Sequence, residues 1–419
     1  MLFAKPTRSV GVDIGTHSVK AVQLSRVGGR ARVDNVGYAI IDASQANVDP
    51  IEAQADAVRE ALRYMPTGNS IFVGALPGQT VVIRYPRLPD MSDDELQRAI
   101  DQEASQNLPF ELSEVFVDWT VLDRDTEGDE AIARVLLVAA KHELIDTRVQ
   151  VADAAEIQYA ILGVDSLALA DAAESCDFLR VGETVALVNI GASSTTIHFV
   201  KDGISNFYRD VNWGAREMIQ AIVKSRRCDP PVAEQMLRDS GAASPPSGAG
   251  PPPLPEGEPA QPPLADLDEG EPTEGLSDLE DLSGGSALDP LQEELGGPGE
   301  QPPSRTSIGA GAGPEQPLDE ILQAPLSRLV TEIRRSFDYY EQQLYEHPVD
   351  RLLLSGGVAH LPLVGDTLRD ELGLEGIEVC DPTASALLLG QESAISPLLQ
   401  QPARFMVAVG LAARGIAEL

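Results

Sequence analysis

Positive charge is scarce in this chain: 31 Lys and Arg stand against 66 Asp and Glu, a formal net charge of −35 over 419 residues. Nucleic acid and anionic membrane surfaces are bound through clustered Lys and Arg, so neither is an expected partner. Cysteine is scarcer still. The three, Cys176, Cys228 and Cys380, lie far apart and fit neither a disulfide framework nor a zinc spacing, so they read as ordinary core or surface thiols. The five histidines are equally scattered, with no His-Glu-x-x-His or Ser-His-Asp grouping. No apolar run is long enough to span a bilayer and residues 1–7 carry no signal-peptide pattern, so a cytoplasmic protein without direct membrane insertion is expected. Core-forming residues are plentiful: a 43% hydrophobic content over this length supports more than one ordinary domain.

The informative pattern is a repeated strand-turn-strand. Residues 10–24, VGVDIGTHSVKAVQL, read as a strand, a tight turn at Gly15-Thr16 and a returning strand, with Asp13 inside an otherwise apolar run. Residues 185–200, VALVNIGASSTTIHFV, repeat the design with Asn189 as the polar residue. A phosphate chain needs backbone N–H groups at short range and no bulky Cβ in the way. Gly15, Thr16 and Ser18 supply this in the first turn; Gly191, Ala192, Ser193, Ser194, Thr195 and Thr196 supply it in the second, with hydroxyls able to donate. Asp13 would repel phosphate, so its role at a strand end would be to hold Mg2+, usually through water. Lys20 could act on a phosphate as a point charge. A plain tight turn with Asp13 as an Asx residue is the alternative for the first hairpin. Residues 351–364, RLLLSGGVAHLPLV, add an apolar strand running into Ser355-Gly356-Gly357, then Val358 and a helix after Leu361-Pro362. Such a turn lets a flat ligand such as adenine approach closely and points a helix N-terminus towards phosphate. Two equivalent hairpins suggest a duplicated domain with a cleft between the halves.

Between these motifs, residues 30–41 read as a further strand pair, 51–64 as an amphipathic helix and 70–76 as a buried strand. Residues 93–107 predict a helix capped by Ser92, with Asp93, Asp94 and Glu95 at its positive end and Leu96, Ile100 and Ala104 as a core-facing stripe. Strands at 115–122 and 132–140 follow, then helices at 142–154, 164–173, 213–224 and 230–239. Residues 240–318 hold 15 Asp and Glu against a single basic residue, Arg305, and 16 of the chain's 31 prolines. Such a stretch cannot bury enough apolar area to offset its ordering entropy, so a disordered insertion is expected. It is either a solvated loop or, from the leucines among acids at Leu264, Leu267, Leu276, Leu279 and Leu282, a partner-recruiting segment. Residues 318–346 read as a long helix with Leu322, Leu326, Leu329, Ile333, Phe337 and Tyr340 on one face, kinked or split at Pro325.

The two hairpins and the Gly-Gly turn, in this order, resemble the actin-like ATPase superfamily. Segments outside the nucleotide loops narrow the likeness to the PilM family of type IV pilus assembly proteins: residues 88–110 (LPDMSDDELQRAIDQEASQNLPF), 115–124 (VFVDWTVLDR), 135–164 (VLLVAAKHELIDTRVQVADAAEIQYAILGV), 207–218 (FYRDVNWGAREM) and 407–414 (VAVGLAAR). Together they cover most of the chain outside the acidic stretch. The resemblance implies an α/β fold of duplicated actin-like (ribonuclease H-like) domains, with an inserted subdomain and a nucleotide cleft between the halves. It divides the chain into a first large subdomain (7–82, resumed at 158–181), an inserted subdomain (83–157) and a second large subdomain (182–213, resumed at 349–419 with a closing helix). The second small subdomain (214–239 and 319–348) is interrupted by the acidic insertion 240–318.

The resemblance further implies ATP and Mg2+ as ligands. Asp13 would position the metal; Gly15, Thr16, Ser18, Lys20, Gly191, Ala192, Ser193 and Thr195 would hold phosphates; Gly214, Glu234, Gly356, Gly357 and Val358 would border adenosine. The chain departs from the family pattern in three places. Asn189 stands where an aspartate is usual, Leu237 with Arg238 adjacent stands where a lysine is usual, and Trp213-Gly214-Ala215 replaces a Gly-Gly pair. A nucleotide-binding scaffold with weak or no ATPase activity is therefore expected. By the same resemblance its partner is the N-terminal cytoplasmic tail of the inner-membrane protein PilN, received between the inserted and first large subdomains. PilO, PilC and PilB would be contacted directly or indirectly, which implies a place peripheral to the inner membrane, a part in twitching motility and self-association as an open alternative. Two other readings stand beside this one. A phosphotransferase or ATP hydrolase of the same superfamily needs a carboxylate base in the cleft, and Asp118 and Asp123 fall in peripheral strands. A filament former like FtsA needs a cationic amphipathic tail, whereas residues 404–419 carry Gly410, Gly415 and only two arginines.

Overall fold

Two sheets built on one topology carry the molecule. The computed structural model describes residues 6–127, 130–241, 316–343 and 348–419. The expected disordered insertion lies outside the described residues except for its flanks, 240–241 and 316–318.

In the first half, β1 (Arg8–Ile14), β2 (Ser18–Val27) and β3 (Arg30–Ile40) form an antiparallel meander. Residues 30–41 are thus one strand and not a strand pair, because their whole length pairs with β2. A short helix α1 (Ala43–Ala46) leads to α2 (Pro50–Leu62), which starts at Pro50 with the Asp49 carboxylate accepting the Glu52 N–H. β4 (Ser70–Leu76) then runs parallel to β1.

The chain next leaves the sheet to build an inserted layer: β5 (Val81–Arg84), β6 (Arg87–Pro89), α3 (Asp93–Asn107), β7 (Val115–Glu127) and β8 (Glu130–Lys141). β8 is central, with β7 on one edge and β5 and β6 sharing the other. α3 begins at the anticipated Ser92 cap, where the Ser92 N–H also donates to Glu95 at 3.2 Å and completes a capping box, and its stripe is core: Leu96 and Ile100 are fully buried against the sheet beside Val135 and Leu137. Each such side chain contributes roughly 1.5–3 kcal/mol by leaving water. A charge at Ile100 would forfeit that gain and separate helix from sheet. α4 (His142–Ala154), β9 (Tyr159–Val164) and α5 (Asp165–Ser175) return to the first half, β9 pairing parallel with β4.

The second half repeats the plan. β10 (Thr184–Ile190), β11 (Thr195–Lys201) and β12 (Ile204–Val211) form a meander, followed by α6 (Ala215–Arg226), α7 (Pro230–Ser240) and α8 (Leu318–Asp338). Pro325 does not split α8, and its carbonyl accepts the buried Trp213 indole N–H. The helix ends earlier than 346, passing at Tyr339–Gln343 into a π-helical turn. β13 (Arg351–Gly356) runs parallel to β10, and α9 (Pro362–Leu372) leads to β14 (Ile377–Val379). The strand orders β3-β2-β1-β4-β9 and β12-β11-β10-β13-β14 match position for position.

The last segment crosses back. β15 (Leu388–Leu389) pairs with β3, and α10 (Glu392–Gln400) and α11 (Met406–Ala417) pack on the first sheet, although residues 349–419 were grouped with the second half from sequence. Small residues make this approach feasible: a Cβ on Gly11 would sit 2.2 Å from the Ala408 carbonyl oxygen.

A buried polar chain joins the inserted layer to the second half. His198 is fully buried, its pKa pulled down to about 4 by that burial, so the ring is neutral. Its Nδ1–H donates to the Ser166 carbonyl at 2.9 Å, which leaves Nε2 to accept from the Ser205 hydroxyl at 2.7 Å. Ser205 in turn accepts from Tyr85, also at 2.7 Å. Beside it, Arg134 donates to Asn206, whose amide donates to the Tyr340 hydroxyl at 2.9 Å.

Candidate functional site

The two hairpins meet across a cleft. Register places Asp13 opposite Lys20 and Asn189 opposite Thr196, the same position in each hairpin. Each turn is closed by the same kind of bond, from the Gly15 N–H to the Ser18 carbonyl at 3.1 Å and from the Gly191 N–H to the Ser194 carbonyl at 2.9 Å. The tips touch, with Thr16 Oγ1 3.0 Å from Ser193 Oγ. Gln79 Nε2 donates to Ser194 Oγ at 2.9 Å, and Arg216 donates to the Thr16 carbonyl at 3.4 Å. Glu234 crosses the gap as well, 3.5 Å from His17 Nε2 and 3.5 Å from Arg238.

Most residues named from sequence line this one cleft. Asp13, Gly15, Thr16, Ser18 and Lys20 form the wall from the first half. Gly191, Ala192, Ser193 and Glu234 face them, and Gly356, Gly357 and Val358 close one end. Gly356 has φ +104°, and a Cβ there would lie 2.1 Å from the Ile190 carbonyl oxygen. That conformation lets the Gly357 N–H reach the same carbonyl at 3.1 Å.

Two residues stand elsewhere. Thr195 is fully buried and its hydroxyl donates to the Trp213 carbonyl at 2.8 Å, so it braces β11 and offers nothing to a ligand. Gly214 lies behind the second hairpin, where a Cβ would meet the Ser193 nitrogen at 2.6 Å. Its small size lets α6 seat its first-turn N–H groups on hairpin carbonyls, Ala215 on Gly191 at 3.0 Å and Arg216 on Ala192 at 2.9 Å.

Lys20 is already engaged, its ammonium 3.1 Å from Asp13 Oδ2. The other Asp13 oxygen has no hydrogen bond or ion pair to a described residue and Asp13 lines the cleft, which would suit a single, water-mediated hold on Mg2+ completed by ligand phosphates. Among the described residues no group of three or more His, Cys, Asp or Glu could bind a metal unaided. Asn189, the neutral counterpart, accepts from Ser355 Oγ at 3.2 Å.

The cleft also holds a carboxylate that sequence reasoning missed. Asp165, the first residue of α5, accepts the Gly78 N–H at 2.7 Å. Burial, with Asp210 as the next cause, pushes its pKa up to about 7. Asp210 is raised too, again chiefly by burial, and its Oδ2 is buried without a partner. The only sequence signal for Asp165 was an acid between an apolar strand and a small-residue helix, VDSLALA, which gives no hint of the cleft. Arg404 was missed as well. Its guanidinium carbon lies 5.2 Å from the Tyr38 ring centroid beside Gly357, and burial lowers its pKa from the usual arginine value.

A family model described as type IV pilus assembly protein PilM matches residues 11–242 and 309–416. A solved PilM-PilN type IV pilus biogenesis complex superposes with a TM-score of 0.69 at 20% identity, covering 97% of this chain and 98% of that one. The ethanolamine utilization protein EutJ from Carboxydothermus hydrogenoformans gives 0.47 at 12% identity, covering 98% of this chain and 90% of its own. MreB 5 of Spiroplasma citri bound to AMPPNP gives 0.44 at 10% identity, with 97% and 95% covered.

Proposed function

The chain belongs to the PilM family of type IV pilus assembly proteins, with a duplicated actin-like α/β fold, and from that premise we propose that it is an ATP-binding scaffold that holds the N-terminal tail of PilN. The observation that carries the nucleotide half is the paired hairpins, whose glycine turns and hydroxyls converge within 3.0 Å of one another at Thr16 and Ser193. Phosphates between them would take hydrogen bonds from Gly15, Thr16, Ser18, Gly191, Ala192 and Ser193. Asp13 would orient the Mg2+ that accompanies those phosphates, and the ion would supply charge neutralisation there. Glu234, Gly356, Gly357 and Val358 would border the nucleoside.

The partner half is supported by the junction between the inserted layer and the first sheet. Leu76, Val81, Ala140 and Val164 form a small core there, fringed by the half-buried Ile83, Val138, Leu144, Ile145 and Leu162. An extended peptide with apolar side chains would meet these positions. No helix among the described residues is long and apolar enough to cross a membrane, so attachment to the inner membrane would run through partners. Nucleotide would act as a ligand that favours one arrangement of the halves, which requires unequal affinity for the two.

Titrating a labelled PilN N-terminal peptide with and without ATP-Mg2+ tests this reading. Binding in at least one state is expected, and no binding in either removes the partner. Hydrolysis is the second reading, and Asp165 favours it: a cleft carboxyl with a pKa about 7 meets the usual requirement for a general base. The neutral Asn189 argues the other way, because it brings no charge to organise metal or water. Steady-state phosphate release separates the two; turnover abolished in Asp165→Asn would make the protein an enzyme.

A further inference from the structure

Arg404 is a cation that the protein itself leaves unsatisfied. Other cleft cations are committed: Lys20 to Asp13 at 3.1 Å, Arg238 to Glu234 at 3.5 Å and Arg216 to the Thr16 carbonyl at 3.4 Å. The Arg404 side chain makes no hydrogen bond or close ion pair with any described residue; the Tyr38 ring lies against it, and Glu234 acts on it only at longer range. A half-buried guanidinium with unused N–H donors is costly unless a ligand completes it.

The surroundings say which part of a ligand that is. The turn N–H groups and hydroxyls that suit phosphate sit on the two hairpins. Arg404 borders the other motif: a Cβ on Gly357 would lie 3.9 Å from both its Nε and its Nη2, so glycine and guanidinium are adjacent walls, and its charge reaches His17 of the first hairpin only at longer range. Val358, Leu361 and Leu237 continue the lining with apolar surface. Tyr38 lies against the guanidinium on one side, and the Arg404 side chain lines the cleft. A flat heteroaromatic ring with apolar faces and acceptor nitrogens fits such a slot, whereas a tetrahedral anion leaves the apolar walls unfilled.

We propose that Arg404 binds the nucleobase: the purine ring of the bound nucleotide stacks on its guanidinium, which Tyr38 backs and Gly357 leaves open. This rests on the nucleotide reading and names the group that recognises the base. Lysine cannot substitute, because an ammonium keeps the charge and loses the plane.

The test is calorimetric titration of the full chain, in Mg2+, with ATP and separately with inorganic tripolyphosphate. It compares the parent with Arg404→Met and Arg404→Lys, after melting curves establish that all three fold. Stacking losses correspond to roughly tenfold to a hundredfold weaker ATP binding in Arg404→Met, nearly matched in Arg404→Lys, with tripolyphosphate affinity unchanged. A parallel loss on tripolyphosphate that lysine rescues would assign Arg404 to phosphate and overturn the proposal. ATP affinity equal in all three proteins also overturns it while leaving the nucleotide reading intact. A parent that binds neither ligand overturns the nucleotide reading, and the role of Arg404 with it.

Discussion

The backbone N–H of Gly78 donates to the Asp165 carboxylate at 2.7 Å, fixing the turn that leads into the inserted layer to the first residue of α5. Asp210 reaches the same glycine from the other half, and a Cβ on Gly78 would lie 2.6 Å from its Oδ2. Two carboxyls from opposite halves therefore crowd one residue.

This crowding sets a pH dependence. Burial raises the Asp165 pKa to about 7, while an unfolded aspartate titrates near about 3.9. A carboxyl raised on folding contributes stability that is complete below its unfolded pKa and lost as the pH rises through the folded one. Asp165→Asn is thus expected to melt lower than the parent at about pH 5, or equal to it, and to gain relative to it by about pH 8. Thermal melts at the two pH values check this, and a constant gap would remove Asp165 as the titrating group.

Thr195 and Ser193 should separate stability from binding. Thr195→Val strands the buried Trp213 carbonyl, which is expected to cost about 1–3 kcal/mol of folding stability and leave ATP affinity nearly unchanged. Ser193→Ala should do the reverse, with binding weakened and the denaturation midpoint held. Urea unfolding paired with ATP titration on both variants reads the contrast.

Gly356→Ala forces a Cβ to within 2.1 Å of the Ile190 carbonyl at φ +104°. Backbone has to move on both strands, so a loss of roughly 2–4 kcal/mol is expected, together with ATP binding. Gly365→Ala, where a Cβ would meet open space, is the matched control. Differential scanning calorimetry of the pair would expose an equal effect, which would refute the steric account.

Leu144→Asp puts a charge at the half-buried fringe where the inserted layer meets the first sheet. A PilN peptide should bind at least about tenfold more weakly, a change of ~1.4 kcal/mol, with ATP affinity retained. Fluorescence anisotropy with labelled peptide measures it, and undiminished binding would move the peptide site elsewhere.

Tyr85→Phe removes the outermost hydroxyl of the chain through Ser205 to His198. The expected cost is about 0.5–1.5 kcal/mol, because Ser205 loses one partner and keeps another. Hydrogen exchange should rise in β5 and β12 together if this contact seats the inserted layer on the second half.

Local patterns were legible in the sequence and long-range placements were not. The α3 stripe, its Ser92 cap and the two glycine turns are written in residues a few positions apart, where capping and periodicity act. Thr195 reads like its neighbours Ser193 and Ser194, and only the register with β10 turns it away from the cleft. Asp165 and Arg404 become cleft residues because a crossing helix and a returning segment bring them there from far along the chain. The final β15 pairing is of the same kind: two residues long, it carries no periodicity to read.

The return of β15 and α11 to the first sheet gives the halves two separate backbone connections, one before β10 and one before β15. They add to the side-chain ties already described, His198 to Ser166 and Tyr85 to Ser205. Parting Thr16 from Ser193 would therefore load both connections at once, and an occupant of the gap would be felt at β10 and at β15 together.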